Sequence, residues 1–228
     1  MMTRADKFVL LSVAGILLLL VGVPALGDMF MQATQRHGYL MSFAKFAVLA
    51  TFGECLALRI VSGKYWKKGF GVLPKMIVWG LLGVVIKAAF GIFIAGVPTL
   101  FVSLGLAELT HSGSFAAKAV IACSISVCLN TIFAPVFMTM HKITDGHISD
   151  NAGRLSSLLI PIDMKKQFNA INWDIQWGFV FKKTIPLFWI PAHTVTFLLP
   201  HDFRILFAAA LGIVLGVILA FANLQRAR

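Results

Sequence analysis

Two charged residues lie inside long apolar segments of the sequence and are the strongest candidates for chemistry. Glu54 stands in the second of these segments, and Lys87 stands near the middle of the third. A charge in hydrocarbon is costly, so such a residue usually faces the interior of a helix bundle or a water-filled cavity. Because their charges are opposite, we expect Glu54 and Lys87 to pair. Two interpretations stay open: the residues line an aqueous path, or they form a buried pair that only sets helix register.

Three uncharged polar side chains extend this candidate path. Ser126 and Asn130 are four residues apart in the fourth apolar segment, so they share one face of a helix. His193 lies between Pro191 and Pro200 in the fifth segment. It is predicted either to act as a gate or proton carrier, or to bond a backbone carbonyl that a proline has left free.

Small residues recur at a spacing of four in two of the apolar segments. Gly83 and Gly91 flank Lys87 on one predicted helix face, and Gly212 and Gly216 share a face in the last segment. Small side chains let two helices approach closely. These glycines therefore predict helix-packing surfaces, against another helix of this chain or against a second copy in a homo-oligomer.

Enzyme motifs are not found. The sequence has no Walker loop, dinucleotide fingerprint or HExxH motif, and the segment around Ser124 lacks a nucleophile elbow. His141 and His147 flank Asp145 in a polar loop, where a solvated loop is favoured over a metal site. We therefore expect no enzymatic activity, no cofactor, no bound metal and no nucleic-acid partner.

The composition predicts that membrane-spanning helices position these residues. Hydrophobic residues make up 59% of the chain, charged residues only 13%, and the mean hydropathy is +0.87. A soluble domain needs a more polar surface than this. The class predicted is all-α, a polytopic transmembrane bundle of about six helices that forms one domain over residues 1–228. The predicted spans are residues 8–26, 39–61, 76–101, 116–140, 178–199 and 203–222.

Loop charge predicts the orientation. If the amino terminus is inside, the outside loops hold only Arg36 and Arg204. Most cations then fall on the inside face, as the positive-inside rule predicts, together with both termini and the loop 141–177. The inside cations are Arg4, Lys7, Lys64, Lys67, Lys68, Lys75, Lys142, Arg154, Lys165, Lys166, Lys182, Lys183, Arg226 and Arg228. The membrane expected is a bacterial inner membrane, or an inner mitochondrial or peroxisomal membrane.

Three segments leave the span pattern open to alternatives. The first apolar run could be a cleaved signal sequence ending near residues 25–27, although its length favours a retained helix. The fifth span carries Pro186 and Pro191 and could be kinked, broken or partly interfacial. In the inside loop, residues 154–171 could form a short amphipathic helix on the membrane surface.

Several short motifs, in order, resemble those of the Mpv-seventeen and peroxisomal-membrane-protein-twenty-two family. Gly53-Glu54 resembles the family's Gly-Asp pair, with Leu58 where the family has Gln. The run from Gly91 to Pro98 resembles its Gly-rich run ending in Gly-Pro. Asn130 to Pro135 resembles its Asp-Gln-x-x-x-Ala-Pro, with Leu129 in place of Asp.

The resemblance continues near the end of the chain and carries a functional expectation. Trp189, Pro200 and Arg204 stand where the family has its Trp-Pro, Val-Pro and Arg. The family implies a channel for small solutes, usually with four spans. The leading expectation is therefore a membrane channel or facilitator for small polar solutes, with the lipid bilayer as partner. The alternatives are a non-transporting scaffold or assembly factor and, third, a secondary transporter.

Overall fold

The fold is helical throughout the part of the chain that the structure describes. This computed structural model describes the backbone of residues 2–226, and the side chains of the same residues except 219 and 222–226. Among the predicted inside cations, Arg228 and the Arg226 side chain lie outside the described part. The α-helices are α1 Arg4–Gly22, α2 Pro24–Arg36, α3 Gly38–Ser62, α4 Val72–Ser103, α5 Ala107–His111, α6 Phe115–Cys128, α7 Ala134–Asp150, α8 Met164–Ala170, α9 Trp173–Ile175, α10 Ile190–Leu198 and α11 His201–Arg226.

The chain divides into two compact units, Met1–Met41 and Ser42–Arg228. In the first unit, Thr3 caps α1 reciprocally with Asp6: the Thr3 hydroxyl accepts from the Asp6 N–H, and the Asp6 carboxylate accepts from the Thr3 N–H. Helix α1 ends at Gly22, four residues before the predicted end, because Pro24 begins a new helix at a position where its missing N–H costs nothing.

The second unit has a core of interlocked aromatic, aliphatic and small side chains. Phe46 of α3 and Phe90 of α4 are each 4% exposed, and Ala209 of α11 is fully buried. Leu129 and Phe197 join the same buried cluster from the two remaining long helical segments. Because each long helix of this unit contributes a side chain, the cluster holds them together.

The predicted spans coincide with helices. Four helices are long and apolar enough to cross a membrane: Arg4–Gly22, Val72–Ser103, Phe115–Asp150 and the His201–Ile218 part of α11. The other two predicted spans are also helical, over α3 and over the continuous run from Trp173 to Leu198. The all-helical class and four candidate spans are thus confirmed.

The fifth predicted segment is an unbroken helix, not a broken one. It is π-helical over Gln176–Trp189 and becomes α-helical at Ile190. In a π-helix each backbone hydrogen bond joins residues five apart instead of four, and this pattern accommodates Pro186 inside the helix. Pro186 and Pro191 are both exposed. A similar π-helical turn, Leu129–Phe133, joins α6 to α7 in one helix of 36 residues.

The predicted amphipathic helix over 154–171 is wrong. The segment holds a 3₁₀ turn, Leu155–Leu159, and the short helix α8. Pro161 stands between them and cannot donate a backbone hydrogen bond, so one continuous helix does not form. The segment folds back on α7 instead: Lys166 pairs with Asp150 at 2.7 Å, and this carboxylate raises the pKa of Lys166.

Two loops of the second unit meet at one end of its bundle. Gly71, with φ +74°, lies so close to the next loop that an added Cβ would be 2.9 Å from the Gly153 Cα. Gly153 has φ +65°, so both positions require glycine for space and for conformation. We call this the basic end, because Lys64, Lys67 and Lys68 lie in the first of these connections and Arg154 lies in the second.

Candidate functional site

The second unit encloses a cavity of about 470 Å³ between its long helices. Most of the wall is apolar, and its polar side chains fall in a few places. The lining residues are Phe46, Ala50, Gly53, Glu54, Ala57, Trp79, Ile86, Phe90, Leu129, Asn130, Phe133, Ala134, Phe137, Met138, His141, Lys142, Ile171, Asn172, Ile175, Gln176, Val180, Thr184, Trp189, His193, Ala208, Ala209, Gly212, Leu215 and Gly216. A volume of this size suits a small organic molecule.

A charged cluster lies on one side of the cavity, towards the basic end. The Lys75 ammonium lies 2.5 Å from Glu54 Oε2 and also donates to Asp145 Oδ1. Glu54 Oε1 accepts from the Trp79 indole N–H at 2.6 Å and lies 3.3 Å from His141 Nε2. Lys75 is 5% exposed, so its charge is desolvated and depends on these two carboxylates.

The prediction that Glu54 pairs with Lys87 is therefore wrong. Helices α3 and α4 are antiparallel neighbours, and Ser42 of α3 donates to the Gly83 carbonyl of α4 at 2.7 Å. At that register Glu54 lies level with Lys75. Lys87 is twelve residues further along α4, about 18 Å at 1.5 Å per residue, which no side chain bridges. Lys87 is half-buried, and its charge is near enough to Lys45 for the two to interact electrostatically.

The predicted polar residues Ser126, Asn130 and His193 are brought together, and Asn130 and His193 line the cavity. Ser126 and Asn130 are fully buried. The Asn130 amide nitrogen donates to the Ser126 carbonyl at 2.8 Å, and it lies 3.0 Å from His193 Nδ1. Only the NH₂ group of an amide can meet a carbonyl, so this bond orients the Asn130 side chain. Its shorter contact to His193 then makes Nδ1 the acceptor and places the imidazole proton on Nε2.

Trp189 adds a second indole to the wall, four residues before His193. Its ring centroid is 5.2 Å from that of His193. The Trp189 Nε1 and the Gln176 Nε2 are buried and have no hydrogen-bond partner among the described residues. Buried donors are normally satisfied, so each one without a partner needs an explanation.

The cavity has exposed lining residues at its basic end and buried or half-buried ones elsewhere on its wall. Lys142, Asn172 and Ile175 line it and are exposed. Phe46 and Phe90 line it from the opposite side and are buried.

The four predicted packing glycines differ in how closely other atoms of this chain approach them. A Cβ at Gly83 would lie 2.6 Å from the Phe46 Cβ, and one at Gly216 would be 3.5 Å from the Gly53 carbonyl oxygen, so both positions pack against α3. A Cβ at Gly91 or Gly212 would meet no atom within 4 Å. Gly212 instead lines the cavity.

The motif residues that carry the family resemblance take structural and lining positions. A Cβ at Gly53 would lie 3.0 Å from the Ile213 Cα, which makes Gly53 a helix-packing site. Pro135 lies in the first turn of α7. Pro200 precedes α11, and the Arg204 Nε donates to the Leu199 carbonyl at 2.9 Å, which satisfies the end of α10.

Sequence reasoning missed the partners of Glu54. Lys75 was placed among the inside loop cations, and His141 and Asp145 were placed in a solvated loop. Helix α7 continues to Asp150, so His141 and Asp145 lie one turn apart on a helix that faces Glu54. That spacing of four was the signal available in the sequence.

No family model, no curated protein and no solved structure matches this chain. Among the described residues, no group of three His, Cys, Asp or Glu side chains could hold a metal ion. The site is thus defined by its own geometry: a mostly apolar cavity, a charged cluster beside its mouth and a polar group on its wall.

Proposed function

We propose that this chain is a six-span membrane protein with both termini and the loop 141–177 on the same, basic side. The proposal is supported by six long helices over the six apolar segments, four of which meet the requirements of a span by length and composition. It is also supported by the charge bias of the loops, since cations are retained on the inside.

We propose further that the second unit is a channel or facilitator for small solutes. The observation that carries this proposal is the cavity of about 470 Å³. Helix bundles that serve only as structure are close-packed and hold few voids larger than a water molecule. A space of this size, with polar groups at two places on its wall, is typical of a binding site.

The geometry also indicates how passage would be controlled. Exposed Lys142 lines the cavity at the basic end, while buried Phe46 and Phe90 line its opposite side. Passage through the bundle therefore requires these two rings to move. The family resemblance supports the same function, because the family implies a channel and Glu54 and Trp189 of its motifs line the cavity.

The test is solute uptake by liposomes that contain the purified protein. We expect glycerol and urea to enter faster than into protein-free liposomes, measured by light scattering during swelling. Glu54→Gln should change the rate, because Glu54 lines the cavity and organises Lys75 and His141 beside it. Glu108→Gln is the matched control, because Glu108 is an exposed acid in α5. Rates equal to those of empty liposomes, with incorporation verified, would refute transport.

One observation favours the alternative, a non-transporting scaffold or assembly factor. Helix α1 has no buried residue and has exposed apolar side chains that lipid or another membrane protein could cover. Co-purification of a stoichiometric membrane partner that is lost on deleting residues 4–22, with no solute uptake, would favour the scaffold.

A further inference from the structure

The cavity extends a long way along the helices that enclose it. On the helix formed by α6, the π-helical turn and α7, its lining residues run from Leu129 to Lys142. These two residues are thirteen positions apart, which is roughly 20 Å at 1.5 Å per residue. On the helix from Trp173 to Leu198 the lining extends from Ile175 to His193. A cavity of about 470 Å³ with this length suits a long, narrow molecule better than a compact one.

The polarity of the wall changes along this length. The lining residues at the basic end include Glu54, His141, Lys142, Asn172 and Gln176. Those further from it include Ile86, Phe90, Leu129, Phe133 and Trp189. Two polar side chains, Asn130 and His193, line this apolar part, and they contact each other at 3.0 Å. A molecule that matches such a wall has a polar group at one end and an apolar body along the rest of its length.

The charge that is available at the basic end is positive. The Glu54 carboxylate is paired with the Lys75 ammonium at 2.5 Å, so it is already neutralised. Lys142 is exposed and has no hydrogen-bond or ion-pair partner among the described residues. Its ammonium stands on a flexible stem of four carbons and can reach a charged group at this end of the cavity. A carboxylate is therefore favoured over an ammonium as the polar group of the ligand.

We propose that the cavity binds single-chain carboxylates of the fatty-acid type. The carboxylate lies at the basic end beside Lys142, and the hydrocarbon chain extends along Phe133 towards Leu129 and Phe90. This inference rests on the proposed function, whose solute it specifies. It narrows the sequence-based expectation of a polar solute to an amphipathic one.

The test is equilibrium binding of dodecanoate to the full chain in lipid nanodiscs, with dodecanol as an uncharged probe that has the same chain length. Gly212→Leu places a side chain in the cavity: the lining residues of α11 run from Ala208 to Gly216 on one face, Gly212 is central to that face, and a Cβ there meets no atom within 4 Å. Gly91→Leu is the matched control, because a Cβ at Gly91 also meets no atom, and Gly91 is exposed and does not line the cavity. Comparison of variants in the same nanodiscs cancels the partitioning of each probe into lipid.

We expect Gly212→Leu to weaken the binding of both probes by about tenfold, because the leucine side chain displaces about two CH₂ groups of the chain. Gly91→Leu should leave both affinities unchanged. The inference would be overturned if dodecanoate did not bind the wild-type chain saturably, if Gly212→Leu had no effect, or if Gly91→Leu caused an equal loss.

A second pair of variants tests the position of the carboxylate. Lys142→Gln should weaken dodecanoate by about two- to fivefold, the value of one exposed ion pair, and leave dodecanol unchanged. Lys165→Gln is the control, because Lys165 is an exposed lysine that does not line the cavity, and it should change neither affinity. An equal effect of Lys142→Gln on both probes, no effect on either, or an equal effect of Lys165→Gln would contradict the proposal.

A third measurement needs no variant and holds if Gly212→Leu fails to fold. A fatty acid with a photoreactive diazirine at the end of its chain is irradiated with the wild-type protein, and the labelled residues are located by mass spectrometry. Labelling that excess dodecanoate prevents should fall near Phe90 and Leu129. If that labelling were found only near Lys142 or only on residues outside the cavity lining, the inference would be wrong. Saturable dodecanoate binding without glycerol or urea uptake would support this inference and refute their transport, whereas uptake without dodecanoate binding would overturn this inference alone.

Discussion

Replacing Lys75 with Met would remove the cation that lies between two carboxylates. The Lys75 ammonium is 2.5 Å from Glu54 Oε2 and also contacts Asp145, and the Lys75 side chain is only 6% exposed. Without it, the two acids face each other in a partly buried site. Breaking a fully buried pair costs about 3–5 kcal/mol. Because the Glu54 and Asp145 side chains are 22% and 28% exposed, water screens part of this, and we expect about 2–4 kcal/mol.

The assay is thermal unfolding in detergent, as a double-mutant cycle. For a chain of this size, about 2–4 kcal/mol corresponds to a decrease in Tm of roughly 4–16 °C. Glu54→Gln alone should also lower Tm, and Lys75→Met with Glu54→Gln should lower it by less than the sum. Lys68→Met should change Tm little, because Lys68 is an exposed lysine in the connection that precedes α4. Additive single effects, or an equal loss in Lys68→Met, would contradict the pairing.

Two further predictions concern packing and topology. Gly83→Ala should lower Tm, because the new Cβ would lie 2.6 Å from the Phe46 side chain, at a cost of about 1–3 kcal/mol. Gly91→Ala in the same helix should leave Tm unchanged or raise it slightly, because its Cβ meets open space and alanine favours helix. A larger loss for Gly91→Ala would contradict the packing of α4. Cysteines at Lys67 and Ser112 should be labelled from opposite sides of the membrane, and labelling of both from one side would exclude six spans.

The sequence by itself was sufficient for the class and for the helices. Membrane insertion depends on local hydropathy. Each of the six apolar segments is long enough to form a helix of membrane-spanning length, whatever its neighbours are. The end of α1 was misplaced because Pro24 was not recognised as the start of a new helix. The helix expected over 154–171 was wrong because the conformation of this segment depends on contacts with α7, such as the pair of Lys166 with Asp150.

The pairing of charges was decided only by the tertiary structure. Both Lys75 and Lys87 lie on α4, and the sequence shows no preference between them as the partner of Glu54. The choice depends on the relative height of α3 and α4, which is set by contacts such as that of Ser42 with the Gly83 carbonyl. Asn130 and His193 likewise line a cavity only because five helical segments leave that space between them. Such spacing is a property of packing between distant segments, and no local pattern of residues encodes it.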